Sequence, residues 1–192
     1  YGLRQKATTV ERAVSALGLK YVRSIALGFN LLSSLRQFES VGFNQNKFWN
    51  QCLVRAVVAR QLGEIYCNQV KEEAFLTGLL QDCGVMLLLQ AIGPEYAKLW
   101  ANNTLSHYAL YNTEKKLFNI NHIEAAGFLA RIWNLPTILV GPISMHHTKR
   151  TLSPAKTAEM KLYQIAYFSG MLSFNNPTEV CKEDFELKTY CH

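Results

Sequence analysis

The stretch Phe75 to Leu88 reads F-L-T-G-L-L-Q-D-C-G-V-M-L-L and sets one carboxylate, Asp82, inside an apolar run, with the amide Gln81 just before it. Further along stand Glu114, His122 and the pair His146-His147. Carboxylates and imidazoles are the residue types that hold a divalent cation and let it activate water. Asp82, His122, His146 and His147 are of these residue types. The alternative is a buried polar network, each group bonded to backbone or another side chain, because an unpaired buried polar group costs about 1–3 kcal/mol. Gln81 weighs against the metal, since a neutral amide is a poor ligand for a catalytic cation compared with imidazole. Glu114 reads either as a general base or as a local cap or ion pair with Lys115, Lys116 or Arg131. Cys83 is disfavoured as a nucleophile, because an apolar helix interior raises a thiol pKa and blocks access. No phosphate loop, nucleophile elbow or dinucleotide fingerprint is present.

The elements that must position these residues are helices throughout. Thr8 and Glu11 form a possible capping box, after which Val10, Ala13, Val14 and Leu17 repeat at helical spacing up to Gly18. A second helix follows with Val22, Ile25, Ala26, Phe29 and Leu32 on one face, and Gly42 to Lys47 reads as a loop. Phe48 to about Tyr66 is apolar most of the way round, which predicts a central helix. Glu72 to about Ile92 reads as one further helix with Phe75, Leu79, Asp82, Met86 and Leu89 in a stripe. Pro94 opens a short helix carrying Tyr96, Leu99 and Trp100. After a polar passage, Asn121 and Glu124 cap another that bears Ile123, Ala126, Ala130 and Trp133. Leu135-Pro136 breaks the chain, and Pro136 opens a helix to His147. Ser153-Pro154 starts a last helix ending near Ser173, and Asn175-Asn176-Pro177 is a turn. Gly127 is read as a close-packing position and Trp133 as a core anchor. The fold class is all-α, with no strand alternation, internal repeat or low-complexity linker.

Composition agrees. At 192 residues with 49% apolar and 18% charged residues, the chain can bury a core and is neither disordered nor built like a membrane protein. No run reaches the roughly 20 uninterrupted apolar residues of a spanning helix. The chain opens on Tyr1 with no charged, apolar and small-residue series, so no secretion signal is expected. Five cysteines at long spacings, with no C-x-x-C, argue against a disulfide framework or zinc knuckle and point to a reducing cytoplasm. The net charge of +6 is scattered rather than gathered on one element, and no aromatic residues interleave with it, so nucleic acid is not the expected partner.

Taken in order, Gly78-Leu79-Leu80-Gln81-Asp82-Cys83-Gly84, Glu114, Phe118-Asn119, His122, Gly127, Leu129, Trp133, Leu135-Pro136 and His146-His147 resemble the HDOD domain of bacterial signalling proteins. Upstream, Ala13-Val14, Leu17-Gly18 and Arg23-Ser24 look like its first helix pair, and Trp49-x-x-Cys52 matches its W-x-x-S position with Cys for Ser. The resemblance covers about residues 1 to 175, leaving 176–192 as a tail or the start of a further element. Family domains begin further upstream, with extra helices. The resemblance implies a compact helical domain related to metal phosphohydrolases but short of their ligands. It places Gln81, Asp82, Glu114, His122, His146 and His147 at the family's vestigial site. A His expected on the Trp49–Tyr66 helix is absent, and a second is replaced by Gln81.

The expectation is therefore a non-catalytic cytoplasmic signalling domain with no cofactor. It would act through a protein partner or an attached sensor, receiver, diguanylate cyclase or phosphodiesterase module. The alternatives are a divergent phosphohydrolase for a nucleotide or cyclic dinucleotide, with a divalent cation on Asp82, His122, His146 and His147, and a small-molecule regulator that binds without turnover.

Overall fold

The computed structural model describes residues 43–101, 107–148 and 157–171, with 14, 15, 18, 19, 22, 26–28 and 30. Eight helices and one 3-10 turn follow one another among them: α1 Gln45–Tyr66, the 3-10 turn Asn68–Val70, α2 Lys71–Leu80, α3 Gly84–Ile92, α4 Pro94–Ala101, α5 His107–Phe118, α6 His122–Ile132, α7 Thr137–Met145 and α8 Ala158–Gly170. The all-α expectation holds, with no strand among the described residues. The expected boundary near residue 175, the Thr8–Glu11 box and the Ser153-Pro154 cap lie outside the described residues. Gly18 does stop its helix, in the left-handed region at φ 85°, with its N–H on the Val14 carbonyl.

Caps account for several boundaries. Asn44 accepts from the Lys47 N–H at 2.8 Å, so α1 begins at Gln45, inside the segment read as a loop. Asn121 and Glu124 form the expected capping box at the start of α6, each side chain bonding the other's backbone N–H. Thr157 caps α8 through the Met160 N–H.

Two expectations need correction. The single helix expected over Glu72–Ile92 is two, α2 and α3, joined by a turn at Gln81-Asp82-Cys83. The polar passage before Asn121 contains the 12-residue helix α5.

α1 and α2 make the broadest contact, and α8 crosses α1, α2 and α7. Close approach is possible because Ala56 and Ala59 of α1 face Gly78 of α2, where an added Cβ would lie 2.7 Å from the Arg55 carbonyl oxygen. α3 crosses α6 still more tightly: a Cβ on Gly84 would lie 2.0 Å from the His122 carbonyl oxygen. Gly127 likewise packs against Ser144 of α7, as a close-packing position should. The core runs through Phe48, Phe75, Leu79, Leu80, Met86, Leu89, Ile143 and Leu162, and Trp133 packs against its edge. The stretch Asn68–Ile92 is long and apolar enough by composition to cross a bilayer, but 78% of its most apolar window is buried inside the protein. That burial is what a core helix pair produces.

Candidate functional site

The turn between α2 and α3 carries Gln81 and Asp82 to the centre of the helix bundle, where both are buried. Asp82 Oδ2 accepts from the Arg55 guanidinium, which α1 delivers from its buried face; both side chains are 1% exposed. The other carboxylate oxygen, Oδ1, faces two imidazoles, His122 Nε2 at 3.9 Å and His146 Nε2 at 3.7 Å. His122 is the first residue of α6, and His146 and His147 directly follow α7. One ligand atom from each of Asp82, His122, His146 and His147 lies within 4.8 Å of the others. The four candidate ligands therefore converge. The His146 and His147 rings are 4.3 Å apart, and His147 also stacks on Tyr111.

Each imidazole is oriented from behind. Glu114 on α5 receives both the His122 Nδ1–H at 2.6 Å and the His122 backbone N–H at 2.9 Å, on the same oxygen. Its other oxygen accepts from the Tyr96 hydroxyl at 2.6 Å. The carboxylate thus sits at the N-terminus of α6, where the helix dipole favours negative charge. The Ile143 carbonyl accepts the His146 Nδ1–H at 2.8 Å. With Nδ1 committed as donor, a neutral His146 must turn a bare lone pair on Nε2 toward Asp82, and that atom has no hydrogen-bond partner among the described residues. A neutral His122 is fixed in the same tautomer. Backing of this kind, carboxylate or carbonyl on the remote nitrogen, is how metal-binding imidazoles are held. The donor set therefore fits a divalent cation that accepts nitrogen.

The charges are unequal in their surroundings. Burial alone would lower the His122 pKa, but the Glu114 charge and hydrogen bond, with Asp82, outweigh it and raise it. His146 has no such carboxylate behind it, and burial brings it down to about 4, so its ring is neutral. Burial, then the Glu114 charge, pushes the Tyr96 hydroxyl well up, which keeps it a donor. Burial and the Asp82 charge likewise push up the Cys83 thiol, leaving it without nucleophilic character.

Glu114 caps rather than pairs with a neighbouring cation: it accepts the His122 backbone N–H at the start of α6. It pairs with neither Lys115, Lys116 nor Arg131, and Lys115 instead bridges Glu124 at 2.7 Å. Glu114 is buried against His122 and Tyr96. Gln81 turns to α8, accepting from Ser169 Oγ at 3.4 Å, while its Nε2 has no hydrogen-bond partner among the described residues. Arg55 and Tyr96 are the members of the site that sequence reasoning missed. A signal for Arg55 was present: it is a cation embedded between Val54 and Ala56 on a helix apolar most of the way round.

Comparison with known proteins bears on the fold and the family. The chain is 23% identical over 151 residues to an uncharacterized protein of Treponema pallidum (strain Nichols), covering 77% of this chain and 28% of that one. A crystal structure from Shewanella amazonensis SB2B, of a protein provisionally titled a phosphohydrolase, matches at TM-score 0.68 and 21% identity, over 88% of this chain and 60% of that one. The MmoQ response regulator of Methylococcus capsulatus str. Bath matches at TM-score 0.57 and 21% identity, over 95% and 76%. At these identities the likeness shows a shared fold. The chain spans about a quarter of the Treponema protein and three-fifths of the Shewanella one. The family model for the HDOD domain matches residues 1–149, and the chain belongs to the HDOD domain family.

Proposed function

We propose that this chain is a non-catalytic signalling domain, working in the cytoplasm by contact with a protein partner or by relaying a conformational change to an attached module. The observation that carries this reading is the buried ion pair of Arg55 and Asp82. A hydrolytic metal site needs a carboxylate free to bind the ion, and an open position for water and substrate. Here one of the two Asp82 oxygens is spent on a fixed guanidinium, and Asp82, His122 and His146 are sealed from solvent. α1 contributes no imidazole, and Gln81 stands where a second one would. One structural neighbour is a response regulator, which supports a signalling context.

A second reading, a divergent metal phosphohydrolase, is favoured by the convergence of Asp82, His122, His146 and His147. A cation held there would supply Lewis-acid activation of water. The test is turnover of phosphodiesters, phosphomonoesters and nucleotides by protein loaded in turn with manganese, iron and zinc. The expected result is no product above a protein-free control. Asp82→Ala and His122→Ala should then lower thermal stability. Variants that keep full stability but lose a measured wild-type turnover would sink the proposal.

A further inference from the structure

We propose that the cluster at the bundle centre is a one-ion site for a nitrogen-preferring divalent transition metal, in which Arg55 limits the occupancy to a single cation. This goes beyond the signalling role and does not depend on it. Four observations carry it. One ligand atom from each of Asp82, His122, His146 and His147 lies within 4.8 Å of the others, from three separate parts of the chain. The remote nitrogens of His122 and His146 are each held by an acceptor, Glu114 and the Ile143 carbonyl, which aims both Nε2 atoms at Asp82. His146 Nε2 is buried with no hydrogen-bond partner among the described residues, so a lone pair points into the cluster and nothing described receives it. Finally, Asp82 Oδ2 is taken by Arg55.

Ligand atoms around a tetrahedral transition ion lie about 3.3 Å apart, given bonds of about 2.0–2.1 Å. The Oδ1 to Nε2 separations of 3.9 and 3.7 Å approach that spacing, so small side-chain rotations close the set. Three imidazoles and one carboxylate oxygen suit zinc, cobalt or iron and not magnesium or calcium, which take oxygen ligands. A two-ion centre would need further bridging oxygen, and the guanidinium both occupies Oδ2 and repels a second cation at short range. A tetrahedral ion bound by four protein ligands has no open position. It acts as a structural or regulatory load, stabilising the folded state by binding to it alone.

The experiment uses the full 192-residue chain without a His tag, stripped with chelator and dialysed separately against zinc, cobalt and magnesium. Metal per chain is read by elemental analysis after gel filtration, cobalt by its visible absorption, and stability by melting temperature. Expected are about one equivalent of zinc or cobalt, a tetrahedral cobalt spectrum, a raised Tm and no retained magnesium. His147→Asn, at the half-buried ligand, should fold and bind at least about tenfold more weakly. Negligible zinc and cobalt, two equivalents, retained magnesium, or full zinc affinity in His147→Asn would each overturn the proposal. Lack of binding leaves the signalling role standing. Turnover by the loaded chain would refute that role and leave the one-ion site in place.

Discussion

At the scale of single residues, the site is governed by where two charges and two imidazoles are placed. Removing one member of a buried ion pair strands the other, which costs about 3–5 kcal/mol, whereas replacing both by apolar side chains is often neutral. Asp82→Ala should therefore destabilise by roughly that amount, and Arg55→Met with Asp82→Leu by far less. Urea denaturation of the three chains measures it, and equal losses in the single and double variants would contradict it. A pH dependence follows from His146. Its folded pKa, about 4, lies below the ordinary value of 6.5, so the unfolded chain binds the extra proton between those limits. Stability from this residue is complete above about pH 6.5 and falls on acidification to about pH 4, by on the order of 3 kcal/mol. His122, whose pKa is raised, acts oppositely: its contribution is present below 6.5 and is lost as pH rises through its folded value. Metal-free protein titrated from pH 4 to 7 should therefore show a slope that His146→Gln flattens. Asp82, His122, His146 and His147 were legible as a group only through the resemblance to the HDOD family, which aligns them on its vestigial site. Arg55 carried only the signal of a cation between Val54 and Ala56 on a largely apolar helix, and that does not tell a buried guanidinium from one that reaches solvent.

At the scale of elements, boundaries decide whether the residues meet. The turn at Gln81–Cys83 was hidden because Gln81 and Cys83 keep right-handed helical dihedrals, so neither propensity nor spacing marks a break. α5 was hidden for another reason. Among its described side chains Leu110 and Glu114 are the buried ones, one turn apart, while Leu117 is 63% exposed, so its apolar pattern does not trace its buried face. The α6 box was legible because Asn121 and Glu124 carry their partners within four residues, and Pro94 and Pro136 marked helix starts by local chemistry too. The tightest joint is the crossing of α3 and α6. A Cβ at Gly84 would meet the His122 carbonyl oxygen at 2.0 Å and the Ala126 nitrogen at 2.5 Å, both backbone atoms that cannot rotate aside. Gly84→Ala should therefore force the helices apart and destabilise by about 3 kcal/mol or more. A fully folded Gly84→Ala chain with an unchanged urea midpoint would contradict this geometry.

At the scale of the whole molecule, the α1–α2 pair and the α3–α6 crossing form the centre and the other helices enclose them. Stability should be distributed accordingly. Amides of residues 74–80, 85, 86, 88 and 89, all buried in the core, should exchange only through global opening. Those of α4, with Glu95 and Lys98 outward, should exchange through local fraying. Native-state hydrogen exchange measures both, and faster exchange in α2 than in α4 would contradict the arrangement. The all-α class was legible because it is written redundantly, in apolar spacing and in caps along the chain. The depth of the ion pair was not, because it depends on α1 and the Asp82 turn meeting across 27 residues.

Cys52 and Cys83 are buried beside that ion pair, and burial together with the Asp82 charge pushes both thiols well above their usual range. Each sulfur is thus chemically silent for as long as α1 and the Asp82 turn remain packed, and it becomes modifiable when they part. The chain consequently carries its own reporter dyes' attachment points. Slow alkylation at these two positions would time the breathing of the centre from within, with no label engineered into the protein.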